Sequence, residues 1–138
     1  MNKKFLKKAP VLILTIIIFI LSSFPQKIPT GGFGKKKLDI LFILLHIGEF
    51  GLFSILLMYG FWPNIKSYFL LMFSILYGYL DEVHQYFVPT RYYDIIDIQA
   101  NIIGAILGIC IYLSLVFIIK VLNAMEEEYK RETDLMGM

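Results

Sequence analysis

Four stretches of this chain are apolar for long enough to cross a bilayer, and that pattern constrains everything else. A crossing helix needs about 20 mostly apolar residues to span a hydrocarbon core of roughly 30 Å. The first stretch runs from Ala9 to Phe24 without a charge. The second runs from Leu38 to Trp62 and contains His46 and Glu49. The third, from Tyr68 to about Val88, carries Asp81, Glu82, His84 and Gln85 in its last turns. The fourth extends from near Ile95 to Lys120 and opens with Asp97, Gln99 and Asn101. Pro63-Asn64-Ile65-Lys66 and Val88-Pro89-Thr90-Arg91 read as short turns between spans.

Composition supports this reading. Of 138 residues, 58% are hydrophobic and 17% charged, against roughly 45–50% and about 25% in a soluble domain. A soluble globular domain, a disordered chain and a coiled coil are excluded. The single cysteine, Cys110, excludes a disulfide framework or a cysteine-rich zinc site and reads as packing within the fourth span. A formal charge of +2 without a concentrated basic face argues against a nucleic-acid partner. The expectation is an all-α integral membrane bundle of four transmembrane helices over residues 1–125, with a charged cytoplasmic tail over 126–138.

Lys3, Lys4, Lys7 and Lys8 before an apolar run also suit a signal peptide. Ser22-Ser23-Phe24-Pro25 is a poor cleavage site, so an uncleaved first span is expected. Cationic residues then set the orientation. With the N-terminus inside, Lys3, Lys4, Lys7, Lys8, Lys66, Lys120, Lys130 and Arg131 are cytoplasmic, while Lys27, Lys35, Lys36, Lys37 and Arg91 are external. Both termini are expected to be cytoplasmic.

In this orientation the polar residues of three spans gather in the outer half of the bilayer. Ionisable groups there are costly, and they persist where they pair, meet water or serve a function. His46 and Glu49 share a helix face at i, i+3, and Asp81, His84 and Gln85 share another. Asp97, Asn101, Gly104 and Gly108 form a continuous stripe, in which Gly104 and Gly108 permit close helix approach; Gly48 and Gly51 suit the same purpose. Taken alone, the glycine stripe is packing and His46 is a satisfied interior histidine. Taken together, Glu49, Asp81, Glu82, Asp94 and Asp97 outnumber Arg91, His46 and His84. The cluster does not neutralise itself, which points to a site.

The run Asp81-Glu82-Val83-His84-Gln85, with Pro89, Arg91, Asp97, Asn101, Gly104 and Gly108 at their spacings, resembles the signature of the VanZ-like family. His46-Ile47-Gly48-Glu49-Phe50 resembles that family's His-x-x-Glu-aromatic element. The likeness covers Asp39 to Gly108. This chain departs from many members in having Ile43 in place of a Lys, Phe50 in place of a Tyr, and Thr90 in place of a Gly. The resemblance implies a small bacterial envelope protein, from a family named for a member associated with teicoplanin resistance. It supplies a phenotype class rather than a mechanism.

Three functions compete. The first is a binding protein whose site comprises His46, Glu49, Asp81, Glu82, Gln85, Arg91, Asp97 and Asn101. Its partners would be membrane lipids, a lipid-linked cell-wall precursor or a glycopeptide. Arg91 would take a phosphate bidentately, the Lys35–Lys37 run would add attraction, and Asp97 and Asn101 would orient Arg91 or the ligand. The second is an intramembrane enzyme in which His46, Glu49, Asp81, Glu82 and His84 hold a divalent metal or act as acid and base. No hydrolase or metalloprotease motif accompanies them, and no resident cofactor is expected. The third is a proton-coupled transporter, for which the inner half lacks polar stepping stones. The sequence leaves room for a homo-oligomer.

Overall fold

The structure, a computed structural model, describes residues 3–25 and 33–136. Lys27 and the side chains of Lys3, Lys4, Lys35, Lys36 and Lys37 lie outside the described residues, and with them the proposed attraction by the lysine run. Among the described residues four helices make up the fold: α1 Lys3–Ser22, α2 Phe33–Phe61, α3 Ser67–Tyr86 and α4 Ile95–Leu135. Three of them, α1, α2 and α4, are long and apolar enough to cross a membrane. At 20 residues α3 reaches about 30 Å, but its polar last turns dilute its hydropathy. Packing decides its place: Leu70, Ser74, Gly78, Asp81, Glu82 and Gln85 form one buried helical face.

The hub is α2, which touches each of the other helices. Phe50, Phe53, Ser54, Leu57 and Met58 are buried at helical spacing, and Phe53 stacks on Tyr77 at 5.0 Å. The Ser54 and Ser74 hydroxyls, both buried, bond at 2.9 Å. Tyr77 donates its hydroxyl to the Thr15 carbonyl at 2.9 Å and so ties α3 to α1.

Helices α2 and α4 run in the same direction. A Cβ on Gly104 would collide with the Ile47 carbonyl, and one on Gly108 with the Gly51 carbonyl, so the contacts advance together along both helices. In lipid no water-driven force pulls apolar helices together, and close van der Waals contact takes its place. The absent side chains are what let these backbones touch. Gly48 behaves differently from Gly51: a Cβ there would meet nothing within 4 Å.

Beyond the bundle α4 continues past Lys120, where the sequence pattern predicts the end of the span. Its 41 residues extend about 60 Å, twice a hydrocarbon core. The charged tail is therefore the continuation of a helix, exposed from Leu113 onward except at Val116 and Thr133. Cys110 is exposed on α4 rather than packed.

Candidate functional site

At the end of the bundle where α1 and α3 finish and α2 and α4 begin, two hydrogen-bonded networks form. The first joins α1, α3 and the loop after α3. The buried Asp81 carboxyl accepts from Ser22 Oγ and from Gln85 Nε2, the latter at 2.7 Å. Gln85 Oε1 in turn accepts from Arg91 Nη1 at 2.6 Å. Arg91 also donates through Nε to the Phe24 carbonyl and through Nη2 to the Leu21 carbonyl, each at 3.1 Å. The last carbonyls of a helix lack intrahelical partners and carry partial negative charge. The guanidinium thus closes the end of α1 and reaches Asp81 through the Gln85 amide.

The second network joins α2, α4 and α3. His46 Nδ1 lies 3.0 Å from Asn101 Oδ1, and His46 Nε2 lies 3.6 Å from an Asp97 oxygen. Asn101 donates to the Gly78 carbonyl at 3.3 Å. This contact depends on Gly78, where a Cβ would press on Asn101 and Phe50 at 3.0 Å.

Glu82 is fully buried. Its Oε1 accepts the Asp94 backbone N–H at 2.8 Å, while Oε2 has no hydrogen-bond partner among the described residues. Asp94 itself caps α4, accepting from the Ile96 N–H at 2.8 Å. The pair Glu82–Asp94 therefore sets where α4 starts relative to α3.

Between the last turn of α1 and the first half of α2 lies a cleft of about 420 Å³. Ser22, His46, Glu49, Gln85 and Arg91 supply its polar lining, and Leu21, Phe42, Leu44, Leu45 and Leu52 its apolar lining. Gly48 lies at its wall. Glu49 faces the cleft from α2, three residues after His46.

Four of the eight residues singled out from the sequence line this cleft: His46, Glu49, Gln85 and Arg91. Asp81, Glu82, Asp97 and Asn101 stand behind it in the networks. One expected role changes. Asp97 and Asn101 both lie against His46 rather than Arg91, which turns to Gln85 and the end of α1. Ser22 and Ser23, which the sequence marks only as a poor cleavage site, are also part of this end of the bundle. Ser23 Oγ lies 3.0 Å from His84 Nε2, and the His84 ring stacks on Phe19 at 4.7 Å. His84 and Asp81 thus meet adjacent serines at the end of α1. Among the described residues no group of three His, Cys, Asp or Glu side chains is placed to hold a metal ion.

The family model of VanZ/LLP1 matches residues 8–119, most of the chain. The chain belongs to the VanZ/LLP1 family. No curated protein and no solved structure matches it. The matched segment includes both networks and the cleft, and it ends within α4 before the protruding part. The VanZ/LLP1 membership also gives a physical meaning to one departure in sequence. Thr90 adopts φ 71°, the left-handed region that favours glycine. A glycine at this position would take the same backbone conformation without that steric cost.

Proposed function

We propose that this VanZ/LLP1 membrane protein binds an amphiphilic or lipid-linked ligand of the bacterial envelope and acts without catalysing a reaction. The orientation that suits the cationic residues puts the polar end of the bundle outside and both termini in the cytoplasm. The cleft then opens in the outer leaflet, where lipid-linked cell-wall precursors and glycopeptides are met. Modulation of teicoplanin susceptibility is the phenotype that the family resemblance suggests for such a site.

The observation that supports this most is the cleft's mixed lining. Leu44, Leu45 and Leu52 are exposed and edge it with apolar surface, while Arg91 and Glu49 bring charge to its wall. A pocket that is mostly apolar with a few convergent polar groups suits a ligand with a chain and a head. Native mass spectrometry of gently extracted protein tests this. Wild type is expected to carry co-purified lipid or glycolipid, and Arg91→Ala to carry markedly less. A wild-type protein released without any bound amphiphile would overturn the reading.

A further inference from the structure

We infer that the cleft selects an amphiphile whose head carries a primary ammonium group beside a phosphodiester, with the ammonium held by Glu49. This rests on the binding reading above and names the ligand class of that same site.

The argument is an inventory of hydrogen-bonding capacity around the cleft. Ser22 donates to Asp81, and Gln85 is engaged at both ends of its amide. Both His46 nitrogens face partners on α4. Glu49 differs. It is half-buried and lines the cleft, yet it makes no hydrogen bond or ion pair among the described residues. A carboxyl group at membrane depth without donors is costly, and an ionised one is acceptor-only, with room for several donors. An ammonium head supplies three N–H donors and the opposite charge.

Arg91 settles the rest of the head. Of the five guanidinium N–H donors, three are spent on Gln85, Phe24 and Leu21. The remainder can take one phosphodiester oxygen while the clamp stays closed. An anionic head without an amine would put negative charge near Glu49 in a low-dielectric site, where like charges repel strongly. A zwitterionic phosphoamine satisfies both residues. The chain leaves sideways past Gly48, where no atom stands within 4 Å of a Cβ position. A lateral exit suits a lipid rather than a soluble phosphoamine.

The test is lipid retention by native mass spectrometry after reconstitution in vesicles of matched acyl chains. The vesicles contain phosphatidylglycerol mixed in equal amounts with phosphatidylethanolamine or with phosphatidylcholine. Wild type is expected to favour phosphatidylethanolamine over phosphatidylglycerol by about tenfold, as befits a charge-assisted hydrogen bond. Phosphatidylcholine, whose quaternary nitrogen has no N–H, is expected to show little of that preference. Glu49→Gln should lose the preference for phosphatidylethanolamine over phosphatidylglycerol, and Glu49→Asp should restore part of it. Gly48→Phe should empty the cleft of every lipid. The wild-type comparison decides the matter without any variant. Lipid bound with no preference for the amine, or displaced equally well by soluble phosphoethanolamine, overturns this inference and leaves the binding function standing. A wild type that retains no more lipid than Gly48→Phe overturns both.

Discussion

Arg91 and Gln85 meet at 2.6 Å, and through that bond a loop cation reaches a carboxyl buried in α3 without touching it. The same guanidinium holds two carbonyls at the end of α1. One side chain therefore fastens α1 and the loop to α3, and the outer wall of the cleft depends on it.

Replacing Arg91 should loosen that wall as well as weaken ligand retention. Hydrogen bonds to charged groups contribute about 1.5–3 kcal/mol, so Arg91→Ala is expected to cost about 2–3 kcal/mol of stability. Arg91→Lys should recover only part, because an ammonium lacks the planar fork that reaches three acceptors at once. Thermal unfolding in detergent measures both; an unchanged midpoint for Arg91→Ala would remove the clamp.

Two glycines on facing helices should respond in opposite ways to alanine. Gly108→Ala forces α4 away from the Gly51 backbone and is expected to destabilise the bundle by about 1–3 kcal/mol, as overpacking does. Gly48→Ala meets open space and should be neutral or stabilising by about 0.5–1 kcal/mol, the usual gain for alanine over glycine in a helix. Paired unfolding curves check the sign of each.

His46 and Asn101 should be energetically coupled. Their contact at 3.0 Å joins α2 to α4, and interhelical hydrogen bonds in membranes average about 0.6 kcal/mol with a maximum of about 1.7. A double-mutant cycle with His46→Ala and Asn101→Ala is expected to return a coupling in that range. Strict additivity would mean the pair contributes nothing.

Thr90→Gly should stabilise the protein. A β-branched residue at φ 71° carries a steric cost of about 1–2 kcal/mol that glycine does not. The expected gain is about 1 kcal/mol, read as a higher unfolding midpoint. A loss of stability would show that the Thr90 side chain contributes more than its backbone strain takes away.

The helices were legible because each span is apolar over a membrane's thickness, and that condition acts on residues close in sequence. The i, i+3 and i, i+4 spacings likewise put His46 with Glu49, and Asp97 with Asn101, on common faces. Spacing within one helix does not say which neighbour a face meets. Gly104 and Gly51 became contacts through the parallel docking of α4 on α2. Gly48, three residues earlier on α2, faces open space instead. Gly78 carried no signal, because its value lies in the Asn101 and Phe50 side chains that crowd it.

The amino-acid order alone, through hydrophobic run length, dictated a helical membrane protein with its polar groups collected toward one end. Partner choice came from packing: His46 to Asn101, Arg91 to the end of α1, and Glu49 left facing the cleft. The reason is physical. Burial in lipid depends on composition along the chain, whereas a hydrogen bond depends on two atoms within about 3 Å, and residues far apart in sequence reach that distance only once the helices have docked.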